Sequence, residues 1–199
     1  MNSIIVASNK KKAGKTSVAS ALSNYLNSNN VKSVILNTQN GNKKSNFSEE
    51  LGLEIINSSF TEDGDVGKLS EEIINNAKGN ILISESNSND SKVNVEISKK
   101  SNSKILYVAS INEDMDSIEK YYGESLGGIV LNKIPRHRYE EILKKYDSLP
   151  FLGYIPDNRY LVSNTVDQFA KHLDGEYVFD CDGKDNLILN VLIGGIVLD

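Results

Sequence analysis

The feature that most constrains the fold is an alternation of short apolar runs with longer segments of helical spacing. Six runs are almost wholly apolar, and each predicts a β-strand: 3–8, 33–36, 80–84, 104–110, 128–131 and 151–155. Helical spacing predicts helices at 16–26, 66–77, 113–122, 136–146 and 161–173, and the polar, turn-rich segment 39–64 predicts loop or irregular structure. Because strands that are apolar throughout must be covered on both faces, the pattern predicts a three-layer α/β fold with a mainly parallel sheet.

Length and charge narrow the class of protein. A chain of 199 residues fits one main domain, which we place at 1–175, with a short C-terminal extension at 176–199. The net charge of −5 does not favour nucleic acid or an anionic membrane as a partner. Cys181 is the single cysteine, so no internal disulfide can form, and the N-terminus lacks a signal-peptide pattern. These features predict a cytoplasmic protein.

The segment SNKKKAGKTS, residues 8–17, lies between the first predicted strand and the first predicted helix. A GKT sequence in that setting is typical of a phosphate-binding loop, where backbone N–H groups and the helix N-terminus bind phosphate oxygens. Lys15 would reach the β- and γ-phosphates, Thr16 would offer its hydroxyl to Mg²⁺, and Gly14 would let the backbone approach closely. Asn9 stands where the usual spacing has a glycine, and asparagine is tolerable there because it enters left-handed conformations more easily than most residues. The nucleotide-binding residues predicted in the loop are Lys10, Lys12, Ala13, Gly14, Lys15, Thr16 and Ser17. The alternative is a basic surface turn.

The loop also resembles the deviant phosphate loop of the MinD-like ATPases, whose pattern is KGGxGKT. The resemblance implies that Lys10 reaches across a dimer to the partner's nucleotide. Lys11 and Lys12 replace the two glycines of that pattern, so the match is partial. A solvated cationic rim is the other interpretation of these lysines.

Three further segments carry a second resemblance: GNILISES (79–86), GGIVLNK (127–133) and LGYIPDNRYL (152–161). They resemble, in order and spacing, the "VEG" strand, the base-recognition strand and the LGxIPxDRxL segment of dethiobiotin synthetase. The resemblance implies that Glu85 binds Mg²⁺ and that Asn132 bonds the adenine edge, with Lys133 beside it. It also implies that the backbone after Ile155 and Pro156 borders the base, and that Asp157 or Asn158 contacts the ribose or base. Glu85 as an exposed strand-end residue and Asn132 as a turn residue are the alternatives.

Within that superfamily, the sequence is most similar to the dethiobiotin synthetase-like domain at the N-terminus of long phosphotransacetylases and to relatives with a DRTGG domain. Cobyrinic acid a,c-diamide synthase is a more distant relation. The absence of the NKxD aspartate after Lys133 disfavours guanine, so we predict ATP with Mg²⁺ as the ligands.

Departures from the family bear on catalysis. Asn37 and Thr38 replace the Lys-Pro pair that ends the second strand of dethiobiotin synthetase, and 86–90 replace its glycine-rich substrate loop. The aspartate that MinD-like ATPases carry near that strand is missing from 34–44. We therefore predict a nucleotide-sensing or regulatory module with little or no turnover. The alternative is an ATP-dependent ligase or carboxylase acting on a small carboxylate or amine, with Lys43, Lys44 and Arg136 as candidates to line its cleft.

The C-terminal run NLILNVLIGGIVL, residues 186–198, is strongly apolar. It is shorter than the roughly 18 residues that a membrane-spanning helix needs. Such a run must be buried against its own domain or a partner. We predict a homodimer contact rather than a membrane anchor.

Overall fold

The structure, a computed structural model, describes residues 2–38, 51–59, 65–145, 150–158, 160, 163–178 and 182–190. The chain forms two compact units, Met1–Pro156 and Asp157–Asp199. The candidate domain boundary at residue 175 stays a prediction.

The described part of the first unit contains a single sheet of seven parallel strands. The strands are β1 Ser3–Ala7, β2 Ser33–Asn37, β3 Ile55–Asn57, β4 Ile81–Glu85, β5 Lys104–Ala109, β6 Leu126–Ile134 and β7 Phe151–Pro156. Their spatial order is β3-β2-β4-β1-β5-β6-β7. The chain runs from β1 toward one side of the sheet and later crosses to the other, so β1 lies at the switch point where open α/β sheets bind ligands.

The described helices of the first unit are α1 Lys15–Ser28, α2 Val66–Asn76, α3 Ser91–Ser101, α4 Met115–Tyr122 and α5 Tyr139–Lys145. Short 3₁₀ turns, Gly123–Ser125 and Arg136–Arg138, precede β6 and α5. The helix expected at 136–146 therefore begins with a 3₁₀ turn, and its α-helical part starts only at Tyr139.

Helices cover both faces of the sheet. Alternate residues of a strand point to opposite faces, and Ile5 and Ala7 belong to one buried cluster while Val6 belongs to another. The larger cluster draws its helical members from α2–α5: Leu69, Ile73, Ile97, Met115, Ile118, Tyr122 and Ile142. The smaller cluster is covered by α1 through Val18 and Ala19. The predicted three-layer α/β fold is confirmed.

Helix α3 was not predicted, because its buried face is largely polar. Asn94, Ser98 and Ser101 recur at helical spacing and are buried together with Ile97. Their side chains are satisfied internally; for example, the Ser86 hydroxyl bonds Asn94 Oδ1 at 2.5 Å. Hydropathy cannot detect a helix whose inward side chains are held by hydrogen bonds.

Strand β3 also lies where the sequence predicts irregular structure. Its three residues pair with β2 at the sheet edge, from Ile35↔Ile55 to Asn37↔Asn57. The prediction for 39–64 is therefore wrong at Ile55–Asn57, while 39–50 and 60–64 lie outside the described residues. A strand of this length carries too few residues to show a period.

In the second unit, α6 is Val166–His172. Of the helix predicted at 161–173, residues 163–165 are not helical, and 161–162 lie outside the described residues. Thr165 and Gln168 form a capping box at its start. Thr165 also bridges Leu187 in antiparallel fashion, so the first residues of the apolar C-terminal run pair with the segment that precedes α6. No helix among the described residues is long and apolar enough to cross a membrane. Residues 191–199 lie outside the described part, and the homodimer contact stays a prediction.

Candidate functional site

The GKT loop joins the carboxyl end of β1 to α1, as expected. Gly14 is the N-cap residue of α1, with φ +95°, and no described side chain caps the helix. The first N–H groups of a helix have no partner within the helix, and they bind anions when no side chain takes them. The left-handed residues of the loop are Lys12, with φ 60°, and Gly14, and Asn9 is not among them.

The loop borders a cavity of about 380 Å³ at the carboxyl edge of the sheet. From the loop, the cavity is lined by Lys11, Lys12, Ala13, Gly14, Lys15, Thr16 and Ser17. Lys15 is half-buried, and its amine makes no hydrogen bond or ion pair with any residue that the structure describes. The cavity therefore has a lysine amine and a helix N-terminus on one wall, which suits a polyanion.

Thr16 and Glu85 both line this cavity and are hydrogen-bonded to each other. The Thr16 hydroxyl donates to Glu85 Oε1 at 2.7 Å, although the two residues lie far apart in sequence. Glu85 ends β4, next to β1, and is 5% exposed. Thr38, at the end of β2, donates its hydroxyl to the Glu85 carbonyl at 2.7 Å. A hydroxyl and a carboxylate are hard oxygen ligands of the kind that Mg²⁺ takes. The described residues hold no group of three His, Cys, Asp or Glu side chains that could bind a metal by themselves.

Asn87 and Asn89, in the loop after β4, also line the cavity. Asn87 Nδ2 donates to the Thr38 hydroxyl at 3.1 Å. Sequence reasoning did not place these two asparagines in the site. The signal that could have found them is their position just after a strand that ends beside the phosphate loop.

Asn132 and Lys133, at the end of β6, contact the loop backbone. Asn132 Nδ2 donates to the Ala13 carbonyl at 2.8 Å, and Lys133 Nζ donates to the Lys12 carbonyl at 3.0 Å. Lys133 is itself left-handed, with φ 58°. The contact is so close that a Cβ on Gly14 would lie 2.1 Å from Asn132 Nδ2. Only glycine fits there, and the predicted role of Asn132 in reading a base stays a prediction.

The remaining predicted residues lie in different parts of the chain. Ile155 and Pro156 end β7, and Ile155 packs against the smaller core cluster. Asp157 begins the second unit. The predicted contacts of these residues with a base or ribose stay predictions.

Asn9, which replaces the first glycine, is held at two points by buried phenols. Its backbone N–H donates to the Tyr107 hydroxyl at 3.0 Å, and its Oδ1 accepts from the Tyr122 hydroxyl at 3.0 Å. Tyr107 in turn donates to Glu113 Oε2 at 2.7 Å. The position of Tyr122 in a helical segment predicts only packing, so sequence reasoning missed this role.

Lys10 is held beside the same carboxylate. Its amine donates to the Ser110 hydroxyl at 3.0 Å and lies 4.0 Å from Glu113 Oε1. Lys10 does not line the cavity in the described residues. The implied role of Lys10 across a dimer stays a prediction.

We expect the phenols of Tyr107 and Tyr122 to resist ionisation. Burial raises the pKa of both above the ordinary 10.0, to about 12 for Tyr122, and the Glu113 carboxylate adds to the effect. A raised native pKa contributes stability that is present below pH 10 and lost as the pH rises through the native value. An ultraviolet absorbance titration should show that two of the nine tyrosines ionise at higher pH than the ordinary pKa of 10.0 predicts, for as long as circular dichroism shows a folded chain. Ionisation of all nine together in the folded protein would contradict this.

The chain is a three-layer α/β fold with a parallel sheet, and its GKT loop connects the central strand β1 to helix α1. This combination defines the fold class of the P-loop NTPases. No protein-family model and no curated protein matches the chain. Solved structures do match, but their sequence identities are so low that the similarity shows only the fold. A chain of the MinC:MinD cell division protein complex of Aquifex aeolicus has a TM-score of 0.55 and 13% identity, over 81% of this chain and 84% of that chain.

Two further structures show the same fold. A nucleotide-binding protein of Archaeoglobus fulgidus in complex with ADP has a TM-score of 0.51 and 14% identity, over 80% of this chain and 83% of that chain. Signal recognition particle 54 kDa protein of Aeropyrum pernix K1, in complex with GDP, has a TM-score of 0.52 and 12% identity, over 66% of this chain. The present chain covers only 35% of the length of that protein.

Proposed function

We propose that the protein binds ATP with Mg²⁺ and acts as a nucleotide-sensing or regulatory module with little or no turnover. One observation carries the proposal: the Lys15 amine, the uncapped start of α1 and the Thr16–Glu85 pair border one cavity of about 380 Å³. A triphosphate needs cationic and N–H donors on one side and a metal site on the other, and these residues would supply both.

The residues present fit Mg²⁺. Thr16 and Glu85 would hold the ion, with nucleotide phosphates as further oxygen ligands, and the ion would neutralise part of the phosphate charge. A buried carboxylate facing phosphates without a cation would repel them, so the position of Glu85 supports a metal-dependent rather than a metal-free site.

The cavity lining outside the phosphate loop supports low turnover. Its described residues are Glu85 and the neutral amides Asn87 and Asn89. An amide cannot accept a proton from water as a general base, and in this proposal Glu85 serves as a ligand of Mg²⁺. A ligase would need a cation besides the loop lysines to bind a carboxylate substrate, and the described lining residues outside the loop include none. Arg136 is exposed and does not line the cavity, and Lys43 and Lys44 lie outside the described residues.

The proposed branch of the superfamily and the proposed preference for adenine rest on the sequence. The LNK and LGYIPDNRYL segments support a dethiobiotin synthetase-like branch of the superfamily, and the lack of an aspartate after Lys133 supports adenine over guanine. A cytoplasmic location and a homodimer are further parts of the proposal.

Isothermal titration of the purified chain with ATP, ADP and GTP, each with and without Mg²⁺, tests the function. We expect ATP to bind about tenfold or more tightly with Mg²⁺, and phosphate release to stay below about one per second, the low end of ordinary enzymes. Absence of binding to every nucleotide would refute the proposal. Phosphate release that rises on adding small carboxylates or amines would instead support the ligase or carboxylase.

A further inference from the structure

We propose that Asn9, Tyr107, Tyr122 and Glu113 form an anchor that holds the phosphate loop ready for its ligand. The inference rests on the proposed nucleotide binding and assigns these four as positioning residues. The anchor joins the start of the loop to β5, to α4 and to the connection between them.

The bonds at Asn9 use both its backbone and its side chain. Glycine at this position would keep the N–H bond to Tyr107 but lose the acceptor for Tyr122. Tyr107 and Tyr122 are 0% and 2% exposed, so a lost bond leaves a polar hydroxyl on a largely buried side chain. The unusual asparagine is therefore explained by a hydrogen bond that glycine could not make.

The anchor and the end of β6 fix the loop at two places. Asn9 is held at its start, and the carbonyls of Lys12 and Ala13 are held by Lys133 and Asn132. A loop fixed in this way loses less conformational freedom when it closes on phosphates, which strengthens binding. The anchor residues themselves do not line the cavity, so they act through the loop.

The decisive variant is Asn9→Gly, because it restores the usual loop glycine. Motif reasoning predicts equal or tighter ATP binding for it, whereas the anchor predicts binding weaker by about three- to tenfold, the worth of one hydrogen bond. We expect a similar loss for Tyr122→Phe and Tyr107→Phe, which keep the rings that pack in the core. The double variant Asn9→Gly/Tyr122→Phe should lose no more than either single one, since both remove the same bond.

Tyr139→Phe is the matched control. Its hydroxyl is buried and has no hydrogen-bond partner among the described residues, so its removal breaks no bond. We expect its ATP affinity to equal that of the wild type. Affinities are measured well below the unfolding temperature, where a purely structural loss of stability would leave the dissociation constant unchanged.

Hydrogen exchange of the loop amides without nucleotide gives a second readout, and we expect faster exchange at 9–14 in Asn9→Gly and Tyr107→Phe. Wild-type ATP binding with unchanged affinity in all three anchor variants would overturn the anchor alone. A wild type that binds no nucleotide would overturn the proposed function, and unchanged exchange in the variants would then overturn the anchor independently.

Discussion

Lys15→Ala should weaken ATP binding by at least about 30-fold, the equivalent of about 2 kcal/mol for charged hydrogen bonds to phosphate. Lys15 begins α1 beside the cavity, and its amine has no partner among the described residues. Its charge is therefore available to a ligand rather than spent on an internal ion pair. Isothermal titration with Mg²⁺-ATP measures the effect directly.

Net charge is the confounding factor, and Lys99→Ala controls for it. Lys99 is an exposed lysine in the last turn of α3, so its replacement removes one positive charge without touching the cavity. We expect less than about a twofold change, because solvent and salt screen distant charges. Equal losses in the two variants would mean that Lys15 acts through overall charge, and the phosphate-loop assignment would be wrong.

The core of the fold could be predicted because its buried strands consist almost wholly of apolar residues. Strand β1 carries apolar residues on both faces of the sheet, for example Ile5 on one and Val6 on the other, and helices cover both faces. Helix α3 could not be predicted, since Asn94 and Ser98 occupy its inward face. Their burial is tolerable only because specific partners satisfy them, and those partners are set by the tertiary structure.

The site likewise contains residues that local sequence could predict and residues that only the tertiary structure reveals. Lys15 and Thr16 follow a strand and open a helix, so local order alone indicates their chemistry. Glu85 was found through the resemblance of GNILISES (79–86) to a family strand, and its bond to Thr16 puts it beside the loop. The anchor was beyond sequence reasoning, because Asn9 meets Tyr107 and Tyr122 across about a hundred residues. No local spacing encodes such a contact.

Glu85→Gln should remove most of the effect of Mg²⁺ on ATP binding while leaving the fold intact. Glutamine keeps an oxygen that can accept the Thr16 hydroxyl, now at 2.7 Å from Glu85 Oε1, but carries no charge for the ion. With Mg²⁺ present, we expect ATP affinity to fall by about tenfold, or about 1.4 kcal/mol. Without Mg²⁺, affinity should stay equal or rise, because a buried negative charge no longer faces the phosphates.

This opposite response to Mg²⁺ separates a metal ligand from a residue that only supports the loop. A purely supporting role would weaken binding equally in both conditions, since the geometry of the loop would change in both. Glu119→Gln, an exposed carboxylate on α4, makes the same charge change away from the cavity and should keep the wild-type Mg²⁺ effect. If Mg²⁺ strengthened ATP binding by Glu85→Gln as much as by the wild type, the ion would be held without this carboxylate. Thr16 would then be the remaining protein ligand to test.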